Sequence, residues 1–128
     1  MAAGKVLIID DEKLLVKSTC MALSQFGFEL KGVLSGEEGL TAAAEFAPDI
    51  ILLDIMMPGM DGWQVLEKLK QNPRTQDIPV FIFTAREYSN GKAMAVKNGA
   101  TDFVAKPFEP QELAQLLDNQ LTSSRAKD

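Results

Sequence analysis

Three apolar runs of four residues constrain this chain more than any other feature: Val6-Leu7-Ile8-Ile9, Ile50-Ile51-Leu52-Leu53 and Val80-Phe81-Ile82-Phe83. They are mostly β-branched or aromatic and do not alternate with polar residues, the pattern of strands covered on both faces. A shorter run, Phe103-Val104-Ala105, follows them. Phe28-Glu29-Leu30-Lys31-Gly32-Val33 alternates at first and reads as an edge strand with one wetter face. Helix-length segments lie between. Residues 13–26 place Leu15, Thr19, Ala22, Leu23 and Phe26 on one stripe, with Gly27 as a C-terminal cap. Ser35 and Glu38 have capping-box spacing, predicting a helix to Phe46. Residues 61–70 carry Trp63, Val65, Leu66 and Leu69, and Pro73 stops the chain soon after. A weaker helix is expected over 88–98, with Gly91 inside and Gly99 after it. Pro110 suits a first helical position and Glu112 a first turn, so a last helix is expected to run to Leu121, ahead of a frayed polar tail at 122–128.

Strands alternating with helices imply an α/β fold: a doubly wound parallel sheet with helices on both faces and right-handed crossovers. For five strands the expected order is 2-1-3-4-5, taken over from known doubly wound sheets. The 128 residues suit one domain, expected over 1–121. Composition narrows the chemistry. There is no histidine and one cysteine, Cys20, which removes His-based nucleophilic triads, the usual imidazole ligands of zinc and any internal disulfide. The chain cannot itself carry a phosphohistidine. A net charge of -5 argues against wholesale binding to a nucleic-acid backbone. No apolar run approaches the roughly 20 residues of a membrane span, and the opening Met1-Ala2-Ala3-Gly4-Lys5 is too short and polar for a signal peptide. A cytoplasmic location is expected.

Each buried run ends in a polar residue: Asp10-Asp11, Asp54, Thr84 and Lys106-Pro107. In a parallel sheet these ends share one edge, where open α/β sheets place ligands. Each has a bland reading. Asp10 or Asp11 could cap the next helix, Asp54 could be a loop acid, Thr84 another cap, and Lys106 a solvated lysine. Four independent accidents need not share an edge. Carboxylates held close repel by about 4 kcal/mol per pair at 4 Å and a surface-like dielectric. One acid must protonate or a cation must join them. Without histidine or a cysteine pair, a hard, oxygen-seeking ion such as Mg²⁺ fits best. That ion, an ammonium and a hydroxyl make a dianion site, and an aspartate beside them is a nucleophile able to form an acyl phosphate.

With those residues in view, the sequence resembles the receiver domain of two-component response regulators over Lys5 to about Leu121. Val6-Leu7-Ile8-Ile9-Asp10-Asp11-Glu12 looks like the family's first strand and acidic pair, and Leu53-Asp54-Ile55-Met56-Met57-Pro58-Gly59-Met60-Asp61-Gly62 like its phosphoacceptor loop. Thr84-Ala85 and Lys106-Pro107-Phe108 match the remaining motifs. The four come in order at separations of 44, 30 and 22 residues, counted from Asp10 through Asp54 and Thr84 to Lys106.

The resemblance implies that Asp54 takes a phosphoryl group from a phosphohistidine on a sensor histidine kinase or phosphotransfer protein. Asp11, Asp54 and the Met56 carbonyl would bind Mg²⁺ directly, and Asp10 mainly through a water. Lys106 would pair with the phosphoryl group and Thr84 would hydrogen-bond it. Phe103 stands at the aromatic switch position, and the Lys106-Pro107 bond would be cis. Phosphorylation would switch the face made by the fourth helix, fifth strand and fifth helix toward an output domain or partner protein, without direct nucleic-acid or membrane contact. Met56 and Arg86 hold the positions that tune hydrolysis in relatives, and slow self-dephosphorylation is expected. Such a chain is a signalling switch rather than an enzyme. Met56, Met57 and Met60 read as loop packing, Trp63 as a helix-face residue and Cys20 as near-core. Competing readings are a receiver-like interaction module that is never phosphorylated, a phosphatase or phosphotransferase using an aspartyl nucleophile, and a nucleotide- or flavin-binding domain. The second would want an acid where Met56 stands, and the third a glycine-rich loop where Asp10-Asp11-Glu12-Lys13 stands.

Overall fold

A computed structural model describes residues 4–57, 59, 61–85, 91–106 and 108–126, with backbone alone for 84, 85, 91, 92 and 124–126. The elements alternate: β1 (Lys5–Ile9), α1 (Lys13–Ser24), β2 (Glu29–Val33), α2 (Gly36–Phe46), β3 (Ile50–Leu53), α3 (Gly62–Gln71), β4 (Val80–Ala85), α4 (Gly91–Lys97), β5 (Asp102–Lys106) and α5 (Pro110–Ala126). Every strand pair is parallel and the order is β2-β1-β3-β4-β5, as expected.

Side-chain alternation along the strands divides the core in two. Leu7, Ile9, Ile51, Leu53, Val80 and Ile82 pack with residues of α2, α3 and α4 on one face. Val6, Ile8, Ile50, Leu52, Phe81 and Phe83 pack with α1 and α5 on the other. The three unbroken apolar runs are therefore the three inner strands, covered on both sides. β2 is the predicted edge, with Glu29, Lys31 and Gly32 exposed.

Side-chain caps explain the starts of α2 and α3. The Glu38 N–H donates to Ser35 Oγ at 3.1 Å, and the Leu34 N–H donates to Glu38 Oε1. Asp61 and Gln64 form a reciprocal box at the start of α3, which the sequence reading did not pick out. Gly62 is required by close approach. A Cβ there would collide with Ile55 Cα and come within 2.5 Å of the Asp54 carbonyl oxygen, so glycine lets α3 begin directly against the loop after β3.

Three expectations are corrected. The buried face of α1 is Val16, Thr19 and Leu23, with Cys20 packed alongside, while Phe26 is 41% exposed past the helix end. The stripe drawn through Phe26 assumed that the helix continued, but the chain leaves at Gly27 with φ 91°. α4 is described from Gly91 to Lys97, short of the expected end at 98, and the expected start over 88–90 lies outside the described residues. α5 continues to Ala126, so the expected fraying from 122 is not seen there. Leu121 is its last buried residue among the described side chains. Among the described residues no helix is long and apolar enough to cross a membrane.

Candidate functional site

The site is built where β1 and β3 lie side by side. Ile9 pairs with Leu53, so the next residue on each strand is an aspartate. The ladder runs one residue further. The Asp54 N–H donates to Ile9 O at 2.9 Å, and the Asp10 N–H donates to Val33 O at 3.2 Å. Both carboxylates are thereby fixed at the sheet edge and buried, Asp10 at 0% and Asp54 at 3% exposure. Each folds one oxygen back onto its own loop. Asp10 Oδ1 accepts from the Glu12 N–H and Asp54 Oδ1 from the Met56 N–H, both at 3.0 Å. These are Asx turns, the local bonds a short acid makes two residues on.

The other oxygens face Lys106. Its Nζ lies 2.9 Å from Asp10 Oδ2, 3.3 Å from Asp54 Oδ2 and 3.6 Å from Glu12 Oε1. Strand β5 is two places from β3, so the side chain reaches across the end of β4. There its ammonium sits 4.8 Å from the centre of the Phe83 ring, which itself leans on Phe108. Desolvation alone would favour the neutral amine, but the hydrogen bond to Asp10 and the charge of Asp54 outweigh it, and the Lys106 pKa is raised. Asp54 goes the opposite way for a carboxylate facing a lysine. Burial is the largest influence and pushes its pKa up to about 6, with the charge of Asp10 adding to it, against the Met56 N–H and Lys106. Among the described residues no buried side-chain nitrogen or oxygen lacks a partner.

The donor set suits a hard cation. Asp10, Glu12 and Asp54 each offer a carboxylate oxygen, all within 4.8 Å of one another. Three carboxylates against one ammonium leave two negative charges, matching one divalent ion. With oxygen donors only, Mg²⁺ fits and a soft metal does not.

The sequence-derived residues are not all gathered here. Asp10, Asp54 and Lys106 converge. Asp11 is exposed and stands outside the carboxylate cluster, whose third member is Glu12. The capping reading of Asp10 and Asp11 fails as well, because Glu12 is the N-cap of α1 and makes no side-chain cap bond. Glu12 was missed because strand alternation cannot say which acid of Asp10-Asp11-Glu12 turns inward once the strand has ended. Met56 presents its N–H to Asp54 and leaves its side chain 59% exposed, so it is not loop packing, whereas Met57 is. Phe103 is half-buried against the α2–α4 side of the core, and Trp63 packs there too. Thr84 is the last residue but one of β4, in register with Ala105, and its side chain lies outside those described. Arg86, Met60 and Pro107, and with the last the expected cis bond, lie outside the described residues.

Comparison with known proteins bears on the family and the fold. The profile of the response regulator receiver domain matches residues 6–118. The chain is 38% identical to the response regulator PleD of Caulobacter vibrioides over 107 residues, covering 84% of this chain and 24% of that protein. It is 36% identical to the phosphate regulon transcriptional regulatory protein PhoB of Escherichia coli over 111 residues, covering 87% and 48%. It thus spans about a quarter to a half of these relatives. Among solved structures, a response regulator receiver domain protein from Clostridium thermocellum superposes with a TM-score of 0.89 at 26% identity, covering 98% and 100% of the two chains. The chemotaxis protein CheY4 of Vibrio cholerae gives 0.84 at 27% identity, covering 92% and 98%.

Proposed function

Since the chain belongs to the response regulator receiver domain family, we propose that it is a phosphorelay switch whose Asp54 accepts a phosphoryl group from a phosphohistidine. The donor is a sensor histidine kinase or a phosphotransfer protein. The observation that carries this reading is the Asp54 carboxylate, 3% exposed, with one oxygen tied to the Met56 N–H and the other 3.3 Å from an ammonium.

The chemistry follows from that geometry. A carboxylate with a pKa near 6 is ionised at pH 7, and its burial leaves it poorly solvated, which sharpens it as a nucleophile. Its oxygen bonds to phosphorus as the phosphorus–nitrogen bond to the donor imidazole breaks, and the imidazole leaves with that electron pair. Lys106 already touches the attacking group and pairs with the incoming phosphoryl oxygens. Thr84, near the end of β4, supplies a hydroxyl to one of them. Asp10, Glu12 and Asp54, whose carboxylates lie together, would hold Mg²⁺, with the Met56 carbonyl and Asp11, once its exposed side chain turns inward, as the further oxygen donors. When bound, the metal neutralises charge on the phosphoryl oxygens.

The acyl phosphate brings roughly -2 charge and three strong acceptors to a site that held one carboxylate. Thr84 and Lys106 are drawn in, Phe103 repacks, and the face of α4, β5 and α5 changes for an output domain or partner protein. PhoB is by name a transcriptional regulatory protein, and the output of any longer protein carrying this chain belongs to its other parts.

Incubation with phosphoramidate and Mg²⁺ tests the reading. Intact mass should rise by one phosphoryl group in the wild type and not in Asp54→Asn. A wild type that gains nothing, or an Asp54→Asn variant labelled equally fast, overturns it and favours a module that is never phosphorylated.

A further inference from the structure

Three carboxylates meet at Lys106, but they are not equivalent. The side chains of Asp10 and Asp54 are 0% and 5% exposed, whereas that of Glu12 is 63% exposed. Glu12 is thus the outermost acid of the cluster and lies on the solvent side of the nucleophile. Its position is set from within, because its N–H donates to Asp10 Oδ1 at 3.0 Å. Its side chain is not spent on capping α1, although it stands at the N-cap. The carboxylate turns instead toward the site, 3.6 Å from the Lys106 ammonium. As a stabilising ion pair so exposed a contact is worth little. As a fixed negative charge beside a reacting centre it has a larger consequence.

The geometry points to Glu12 as a specificity-determining residue that selects phosphoryl donors by the charge on their leaving group. The inference rests on Asp54 being the acceptor. With a nitrogen-linked donor, the Asp54 oxygen bonds to phosphorus and the phosphorus–nitrogen bond breaks. The leaving group already carries its proton, on the phosphoramidate nitrogen itself or on the far ring nitrogen of a phosphoimidazole, and departs neutral with the electron pair. With an acyl phosphate, the phosphorus–oxygen bond breaks and a carboxylate departs with the pair and a full negative charge. A glutamate at the mouth attracts the protonated nitrogen and repels the departing carboxylate. It therefore favours phosphoimidazole-type donors and holds off free acyl phosphates, which would otherwise charge the switch without a signal.

The test compares phosphoramidate with acetyl phosphate as donors, each at Mg²⁺ saturating for that variant by calorimetric titration. Rates are read as intact mass gain for the wild type, Glu12→Gln, Glu12→Lys and Glu12→Asp. The phosphoramidate-to-acetyl-phosphate rate ratio should fall by about threefold to tenfold in Glu12→Gln, as expected for one unit charge several ångströms away. It should fall further in Glu12→Lys, recover in Glu12→Asp, and converge among the variants as salt is added. Two results overturn the inference and leave the acceptor reading standing: both rates moving in parallel, or an unchanged ratio with weakened Mg²⁺ binding, which makes Glu12 a metal ligand only. A wild type labelled by neither donor removes both.

Discussion

At the scale of the residue, the burial that is proposed to make Asp54 a nucleophile costs the fold stability. Its pKa is pushed to about 6 by burial, against 3.8 for a free aspartate, so the folded chain holds this proton more tightly than the unfolded chain. Stability from this group is therefore greatest below about pH 4, falls as pH rises through 4 to 6, and is level above. Asp54→Asn removes the penalty. The metal-free variant should be more stable than wild type at pH 7 by about 1–3 kcal/mol, with the difference vanishing near pH 4. Urea melts of both proteins at pH 4 and pH 7 measure it, and equal stability at pH 7 would mean that Asp54 is better solvated than its burial indicates. Met56 gives a second prediction. Its exposed thioether stands two residues past the proposed nucleophile and cannot orient an attacking water. Met56→Asn should hydrolyse the phosphorylated form several-fold faster, followed as loss of the mass increment after donor removal, and an unchanged rate would exclude this position from control. At this scale the sequence was legible for Asp10, Asp54 and Lys106, which sit at or just past strand ends and inherit their placement from the ladder. It was not legible for Asp11 against Glu12, where the backbone turns and no periodicity survives.

Among the elements, α4 is the least anchored helix. It has seven residues, and Ala95 is its one buried side chain among those described, while Met94 and Val96 are 36% and 57% exposed. By contrast, α1 buries Val16, Thr19 and Leu23 against the sheet. Few buried contacts make a helix cheap to open locally. Amides of α4 should exchange with deuterium faster than those of α1, and equal protection would contradict a switch that relies on this helix repacking. Whether Gly91 lies inside the helix turns on 88–90, which are outside the described residues. The weakness stands on burial instead. Strand and helix types were legible because doubly covered strands and capping boxes leave strong local signals. Helix ends were less so. A polar stretch after Leu121 reads as tail, yet α5 carries on to Ala126, since adding a residue to a helix already nucleated costs far less than starting one.

The whole molecule makes the site by connectivity. Asp10 and Lys106 are 96 residues apart in sequence and 2.9 Å apart at their charged ends. No local pattern predicts that distance. It comes from the β2-β1-β3-β4-β5 order, which periodicity implied as parallel but did not itself fix. A sheet so ordered puts β1 beside β3, and the ladder then has no choice but to bring two acids together. Their repulsion is held in check by one lysine, leaving two negative charges for a divalent ion to neutralise. Mg²⁺ that binds only the folded chain must therefore stabilise it, by about 2.7 kcal/mol at a hundredfold excess over Kd, or roughly 10 °C in Tm. With Asp54 protonating near pH 6, metal must compete with a proton below that point. The apparent Kd should weaken about tenfold per pH unit, so at fixed metal about 1.4 kcal/mol of the gain is lost for each unit below 6. Thermal melts with and without Mg²⁺ at pH 7.5 and pH 5 measure both effects. The same Mg²⁺-induced shift at the two pH values would mean that the ion binds away from Asp54, and the convergence of strands on this pocket would then serve the fold alone.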